Sequence, residues 1–152
     1  MVESIVKKEV VVKIAGDSGD GIQLIGGQFT GSTYEVGNDL ATFPDFPAEI
    51  RAPQGTQAGV SGFQIHFGSV EIETAGDECD VLVALNAAAL KINLKSLKPG
   101  GILIVDTNGF DSKNLKLAGY GAENPLDSID GAKYQFYGIA ISDQTKKSVE
   151  DC

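Results

Sequence analysis

An apolar run that ends in three closely spaced glycines limits the fold of this chain more than any other feature of the sequence. The run covers residues 10–15, and the glycines are Gly16, Gly19 and Gly21. Apolar residues at roughly helical spacing follow from Ile22 onward. A strand, a tight turn and a helix in this order are typical of an α/β domain. The glycines let the turn come close to whatever lies above it, and the free N–H groups of the following helix point into the same space.

The composition of the turn argues against a nucleotide-binding loop. Its glycines follow the pattern GxxGxG rather than the dinucleotide pattern GxGxxG, and no Lys-Ser or Lys-Thr pair follows them. Asp17 and Asp20 would also repel a pyrophosphate unless their side chains were turned away. We therefore interpret the turn as a point of close approach, and its six positions are candidate site residues: Gly16, Asp17, Ser18, Gly19, Asp20 and Gly21.

Three further glycines lie inside the predicted helix, at Gly26, Gly27 and Gly31. Each glycine in an exposed helix costs about 1 kcal/mol relative to alanine. One explanation is close packing of the helix on the sheet, and the other is close approach to a ligand or partner. Packing is the interpretation that we favour from the sequence.

Composition excludes several classes of function. The chain has 152 residues, 42% of them hydrophobic, which suffices for one core. Its net charge of −9 disfavours nucleic acids and anionic membranes as partners. Two cysteines make no disulfide framework, the N-terminus does not resemble a signal peptide, and no apolar run reaches the length of a membrane span. We expect a soluble, cytoplasmic domain.

Residues 40–56 form the second distinctive segment. Its three prolines rule out a central strand or a helix, so we predict a loop with a specific role. Arg51 is the only arginine of the chain, and its planar guanidinium suits two-point contact with a carboxylate or phosphate. Two interpretations stay open: Arg51 contacts a ligand, or it braces the loop through an ion pair with Glu49 or another acid.

The remaining pattern predicts a βαβ unit. An apolar strand over residues 81–86, a helix that ends before the Pro-Gly-Gly of residues 99–101, and a strand over residues 102–106 indicate two parallel strands. A strand over residues 62–67 is predicted upstream, followed by residues 70–73 either as its hairpin partner or as a second consecutive strand. A late strand over residues 134–141, a helix from Ser142 and a short element over residues 113–117 are predicted downstream.

Three single residues have competing interpretations. His66 is the only histidine, and we expect it to be a surface or cross-strand residue rather than a catalyst. Asn86 could make a polar contact at the end of its strand, but we favour capping of the next helix. Cys79 lies among acidic residues that would raise the pKa of its thiol, so it is a poor nucleophile.

Residues 16–21, 46–56 and 58–64 resemble the gamma domain of 2-oxoacid:ferredoxin oxidoreductases, and in particular the N-terminal part of the fused gamma–alpha chain of 2-oxoglutarate-type enzymes. The likeness covers about residues 10–141, and its specific part is the P-x-E-I-R-A-P-x-G-T-x-A-G-V-S-G-F-Q run. It implies a Rossmann-like, three-layer α/β/α fold with a mainly parallel or mixed sheet, of the type called domain III in pyruvate:ferredoxin oxidoreductase. It also implies a multi-domain enzyme that decarboxylates a 2-oxoacid on thiamine diphosphate, reduces ferredoxin through iron–sulfur clusters and releases an acyl-CoA.

The resemblance also implies how the work is divided within that enzyme. Thiamine diphosphate, Mg²⁺ and the clusters are expected in other domains, since two cysteines cannot ligate a cluster that needs four. Residues 1–152 would be one gamma-type domain, a fragment of a longer chain that is inactive alone, with the alpha and beta parts as partners and CoA as co-substrate.

The glycine turn and the Pro/Arg loop would face the subunit interface or the entry for substrate and CoA, with no catalytic or metal residue among them. To the six turn residues the loop adds the candidates Glu49, Arg51, Gln54, Gly55 and Thr56. The alternatives are a free-standing Rossmann-like nucleotide-binding domain and a purely structural domain.

Overall fold

The computed structural model describes residues 5–49 and 51–150. Three strands follow one another in the middle of the chain, and from the last of these onward strands and α-helices alternate. The strands are β1 (Glu9–Asp17), β2 (Asp39–Asp45), β3 (Val60–Gly68), β4 (Cys79–Ala84), β5 (Leu97–Asp106) and β6 (Gln135–Ile139). The α-helices are α1 (Ile22–Glu35), α2 (Ala87–Asn93), α3 (Ser112–Ala118) and α4 (Ile141–Glu150).

The six strands form one mixed sheet in the order β2-β3-β1-β4-β5-β6. Strands β1, β4, β5 and β6 run parallel, while β3 runs antiparallel to both β1 and β2. The predicted mixed α/β sheet is therefore confirmed, and so is the βαβ unit formed by β4, α2 and β5.

Alternate residues of β1 pack into two different cores, which gives the domain its three layers. Val11 and Ala15 belong to a large cluster with residues of α2 and α3. Ile14 belongs to a smaller cluster that includes Ile22 of α1. The sheet thus lies between α1 on one face and α2 with α3 on the other, because side chains alternate across a strand.

Two parts of the sequence-based prediction need correction. The predicted loop of residues 40–56 begins only after Asp45, since β2 occupies the first part; Pro44 is tolerated there because β2 is an edge strand. The strand predicted over residues 70–73, whether in a hairpin with β3 or as a separate consecutive strand, is wrong. Both edges of β3 are already paired, one with β1 and one with β2, so no edge remains for a hairpin partner.

The glycines of α1 divide into two kinds. Gly26 is buried, and a Cβ atom there would overlap the ring of Phe63, so close packing on the sheet explains this glycine. A Cβ atom at Gly27 or Gly31 would meet nothing within 4 Å. The packing interpretation therefore holds for Gly26 only.

Of the helices in the described part of the chain, none combines the length and the apolar character needed to cross a membrane.

Candidate functional site

An open cleft of about 490 Å³ lies at the carboxyl ends of the parallel strands. This is the edge of an α/β sheet where ligands generally bind. Asp17 and Asp20 reach the cleft from the glycine turn, and Gln54 reaches it from the Pro/Arg loop. Polar residues from later in the chain also line the cleft, among them Asp106, Asn108 and Lys146.

The two acids of the glycine turn are both engaged by backbone N–H groups. The side chain of Asp17 accepts the N–H of Gly55 through both oxygens, at 2.9 and 3.0 Å. Oδ2 of Asp20 accepts the N–H of Asp17 at 2.9 Å. The first bond ties the Pro/Arg loop to the turn, and the second closes the turn on itself.

The environment of Asp17 raises the pKa of its carboxyl group. Only 6% of Asp17 is exposed. Burial raises the pKa of this carboxyl group above its ordinary value, and the neighbouring charge of Asp20 adds to the rise; the N–H of Gly55 and the amide of Asn86 lower the pKa in part. Negative charge at this end of the cleft is therefore costly, and the hydrogen bonds to the carboxylate offset part of that cost.

Two glycines of the turn are explained within the chain itself, Gly16 by close approach and Gly21 by its backbone conformation. A Cβ atom at Gly16 would lie 3.1 Å from Cβ of Leu85 and 3.0 Å from Cδ1 of Ile22. Gly21 has a φ of 73°, in the left-handed region that favours glycine. Ser18 and Gly19 are exposed at the outer side of the turn.

Arg51 has an unusual backbone and an unengaged side chain. It is the only described residue other than glycine with a positive φ, 61°. Its side chain is exposed and forms no ion pair or hydrogen bond with another described residue. The brace between Arg51 and Glu49 that the sequence left open is absent from the described chain. Neither residue lines the cleft.

The loop that carries Arg51 is nevertheless well anchored near its end. Oγ1 of Thr56 donates to the carbonyl of Pro53 at 2.6 Å, and its N–H donates to the same carbonyl at 3.2 Å. The N–H of Glu49 donates to the carbonyl of Ala58 at 3.2 Å. Together with the bond from Gly55 to Asp17, these contacts hold the base of the loop and leave its tip exposed.

Sequence reasoning missed the contribution of Asp106. This buried carboxylate accepts the N–H of Asn108 at 3.1 Å, the N–H of Ile141 at 3.0 Å and the hydroxyl of Ser142, and so joins the end of β5 to the start of α4. Its position at the carboxyl end of a parallel strand was the available signal.

The interpretation of Asn86 as a helix cap is confirmed, because Oδ1 accepts the N–H of Ala89 at 2.8 Å. Its Nδ2 is buried and has no hydrogen-bond partner among the described residues, although the amide lies close enough to Asp17 to affect the carboxyl group.

His66 and Cys79 lie outside the site. Nε2 of His66 lies 2.8 Å from a carboxylate oxygen of Glu9 on the neighbouring strand β1, as expected for a cross-strand residue. The pKa of the Cys79 thiol is raised as predicted, but the main cause is burial rather than the charge of Asp80. Within residues 5–49 and 51–150, no group of three or more His, Cys, Asp and Glu side chains is placed to hold a metal ion.

Comparison with known proteins identifies the family. Residues 11–150 match the model of the pyruvate ferredoxin/flavodoxin oxidoreductase family. The chain belongs to this family. It is also 50% identical over 143 residues to the 2-oxoglutarate oxidoreductase subunit KorA of Mycobacterium tuberculosis (strain H37Rv). That match covers 94% of the chain but only 22% of KorA, so the chain spans about a fifth of this relative's length.

Solved structures of relatives have the same fold. A 2-oxoglutarate:ferredoxin oxidoreductase from Magnetococcus marinus, with 2-oxoglutarate, coenzyme A and succinyl-CoA bound, is 27% identical and superposes with a TM-score of 0.72. The likeness covers 93% of the present chain and 22% of the Magnetococcus marinus chain. The gamma subunit of a keto/oxoacid ferredoxin oxidoreductase from Geobacter sulfurreducens, 19% identical, shares the fold with a TM-score of 0.61, over 94% of this chain and 67% of its own. The predicted likeness to a gamma domain is confirmed.

Proposed function

We propose that this chain is the gamma-type domain of a 2-oxoacid:ferredoxin oxidoreductase that converts 2-oxoglutarate to an acyl-CoA. In this proposal the domain packs on the alpha and beta parts of the enzyme, and ferredoxin receives electrons through the complex. Its own contribution is to present Arg51 to an anionic group of CoA or of the 2-oxoacid. The 50% identity to KorA supports the choice of 2-oxoglutarate.

The conformation of Arg51 is the observation that carries the proposal. A left-handed backbone costs a residue with a side chain about 1–2 kcal/mol. Such strain persists where the surrounding structure imposes it, and it clusters at binding sites. Here the anchored base of the loop imposes it, and the result is an exposed guanidinium with no partner among the described residues.

Charge supports the same role. The chain carries a net charge of −9, and Arg51 is the first basic residue after Lys13. The phosphates of CoA and the carboxylates of 2-oxoglutarate are anions that a guanidinium binds through two parallel hydrogen bonds. The Magnetococcus marinus relative was solved with both compounds bound.

The glycine turn has a supporting role in this proposal. Asp17 holds Gly55, and Gly55 lies four residues after Arg51, so the turn fixes the base from which Arg51 extends. Asp20 and Gln54 line the cleft next to the base of this loop. In this proposal other parts of the enzyme hold thiamine diphosphate, Mg²⁺ and the iron–sulfur clusters. For the clusters, the two cysteines of this sequence are fewer than the four ligands that a cluster needs.

The test is to replace Arg51 with Ala and with Lys in the assembled oxidoreductase and to measure initial rates over ranges of CoA and 2-oxoglutarate. We expect the KM for one of the two to rise about tenfold in Arg51→Ala, the loss of a charged hydrogen bond worth about 1.5–3 kcal/mol. Arg51→Lys restores only part of this, because lysine binds at one point. Lys95→Ala removes another exposed cation and serves as the control. Unchanged KM values for both compounds would refute the role of Arg51.

A further inference from the structure

The outward surface of α1 is exposed and carries no charged residue from Leu24 to Tyr34. Ile22, Gly26 and Thr33 are the buried residues of the helix, and they define its side toward the sheet. The opposite side is the α1 outer face, defined as Leu24, Gly27, Gln28, Gly31 and Tyr34. Leu24 is 67% exposed and Tyr34 is 73% exposed. No charged residue occurs between Ile22 and Tyr34, which is unusual for the exposed side of a helix.

The two glycines of the α1 outer face shape a surface without side chains. Nothing in the described chain lies within 4 Å of a Cβ atom at Gly27 or Gly31, so the fold itself does not require them. They lie one helical turn apart, between Leu24 and Tyr34. The helix backbone is therefore open to close approach from outside, with an apolar side chain at each end.

The apolar surface continues beyond the helix. Nε2 of Gln23 donates to the carbonyl of Gly62 at 2.9 Å and lies 3.5 Å from the carbonyl of Asp45, which places the end of β2 beside the start of α1. Phe46, the residue after β2, is 67% exposed. Scattered exposed apolar residues are ordinary, but large exposed apolar side chains close to an uncharged helix surface are typical of an interaction site.

The charged residues at the two ends of α1 are acidic. Asp20 lies just before the helix, Glu35 is its last residue, and both are exposed; we call these two carboxylates the rim. From residue 14 to residue 50 the sequence contains no lysine, arginine or histidine. A second copy of this chain would bring carboxylates against carboxylates, which costs several kcal/mol. The rim instead complements a partner with basic residues beside its apolar surface.

We propose that the α1 outer face docks an apolar helix, flanked by Lys or Arg, from the remaining part of the oxidoreductase. The inference rests on the proposed function, because it takes the catalytic parts of that enzyme as the source of the helix. The glycines admit the backbone of the partner helix, Leu24, Tyr34 and Phe46 pack against its apolar side chains, and the carboxylate rim pairs with its flanking cations.

Hydrogen–deuterium exchange of the assembled oxidoreductase tests this docking. We compare the wild-type enzyme with the double substitution Gly27→Leu and Gly31→Leu, and use Gly131→Leu, another glycine with open space at its Cβ position, as the control. The α1 peptide is expected to exchange at least tenfold faster in the double variant and at the wild-type rate in the control. An equal rate in all three enzymes would overturn the proposal.

A single charge reversal distinguishes a loss of docking from a folding defect. Glu35→Lys changes an exposed side chain with no ion pair in the described chain, and we expect it to speed α1 exchange and to leave the thermal midpoint of the domain unchanged. Exchange at the wild-type rate in Glu35→Lys would contradict the basic partner. Cross-links that join α1 to α1 of a second copy would also overturn the proposal.

The two proposals can fail separately. Arg51→Ala tests the anion contact through KM values, whereas the α1 substitutions test docking through exchange. Normal kinetics in Arg51→Ala together with a protected α1 would refute the role of Arg51 and leave the docking surface in place. A raised KM in Arg51→Ala together with an α1 that is unprotected from exchange in the wild-type enzyme would support the role of Arg51 and refute the docking surface.

Discussion

The carboxylate of Asp17 accepts the backbone N–H of Gly55 through both oxygens, at 2.9 and 3.0 Å. These residues lie 38 positions apart in the sequence. The bond joins the glycine turn at the end of β1 to the loop that presents Arg51, so the two segments form one unit. The acid that argued against a phosphate-binding turn thus has a structural purpose, namely to position the neighbouring loop.

Replacing Asp17 with Ala is expected to release the loop. The substitution leaves the buried N–H of Gly55 without an acceptor, which costs about 1–3 kcal/mol of the free energy of unfolding. The amide of Gly55 should then exchange with deuterium much faster, while amides of β4 keep their wild-type rates. Asp111→Ala removes an exposed carboxylate that caps α3 and provides a matched control. Slow exchange at Gly55 in Asp17→Ala would mean that other contacts hold the loop.

The sequence predicted those features that depend on local pattern. The strand, turn and helix around Gly16, the cap at Asn86 and the parallel β4–β5 pair follow from residue type and spacing over short distances. The partner of Asp17 could not be predicted in this way, because nothing in the spacing of the turn specifies a backbone N–H from a loop 38 residues away.

Strand pairing explains the other differences. Residues 70–73 alternate as a strand would, but β3 has no free edge to pair with them. Conversely, β2 contains Pro44 and was predicted as loop, yet its position at the sheet edge makes the missing N–H tolerable. Local propensity yields to tertiary context in both places.

Two adjacent glycines of α1 should respond to alanine in opposite ways. At Gly26 the added methyl group overlaps the ring of Phe63, so Gly26→Ala is expected to destabilise the domain by about 1–3 kcal/mol. At Gly27 the methyl group meets open space, so Gly27→Ala should stabilise the isolated domain by up to about 1 kcal/mol through helix propensity. Urea unfolding of the two variants measures both values. Changes of the same sign would contradict the packing of α1 on β3.

The contacts of Asp80 predict a loss of stability in acid. Burial alone would raise the pKa of this carboxyl group, but the N–H of Val11 at 2.9 Å, Lys7 at 3.0 Å and Lys98 at 3.5 Å together lower it below its ordinary value of 3.8. A depressed folded-state pKa contributes stability above the unfolded pKa, and that stability is lost as the pH falls through the folded pKa.

Replacing Asp80 with Asn should therefore lower the free energy of unfolding by about 1 kcal/mol at pH 7, given that both lysines are largely exposed. The difference from the wild type should shrink as the pH falls below 3.8 and vanish where the wild-type carboxyl group is also protonated. Urea titrations at a series of pH values measure this. A difference that stays constant across the series would assign the effect to packing rather than charge.

Because Arg51 has a left-handed backbone, two substitutions at this position should differ in stability and yet share the same effect on function. With φ at 61°, any side chain at this residue is strained, whereas glycine is not. Arg51→Gly is therefore expected to stabilise the domain by about 1 kcal/mol relative to Arg51→Ala, while both lose the guanidinium and share the same raised KM in the assembled enzyme. Thermal unfolding and initial rates measure the two effects independently. If Arg51→Gly instead destabilised the domain and Arg51→Ala did not, the loop would depend on the stiffness of a non-glycine residue, and the strain would have no part in presenting Arg51.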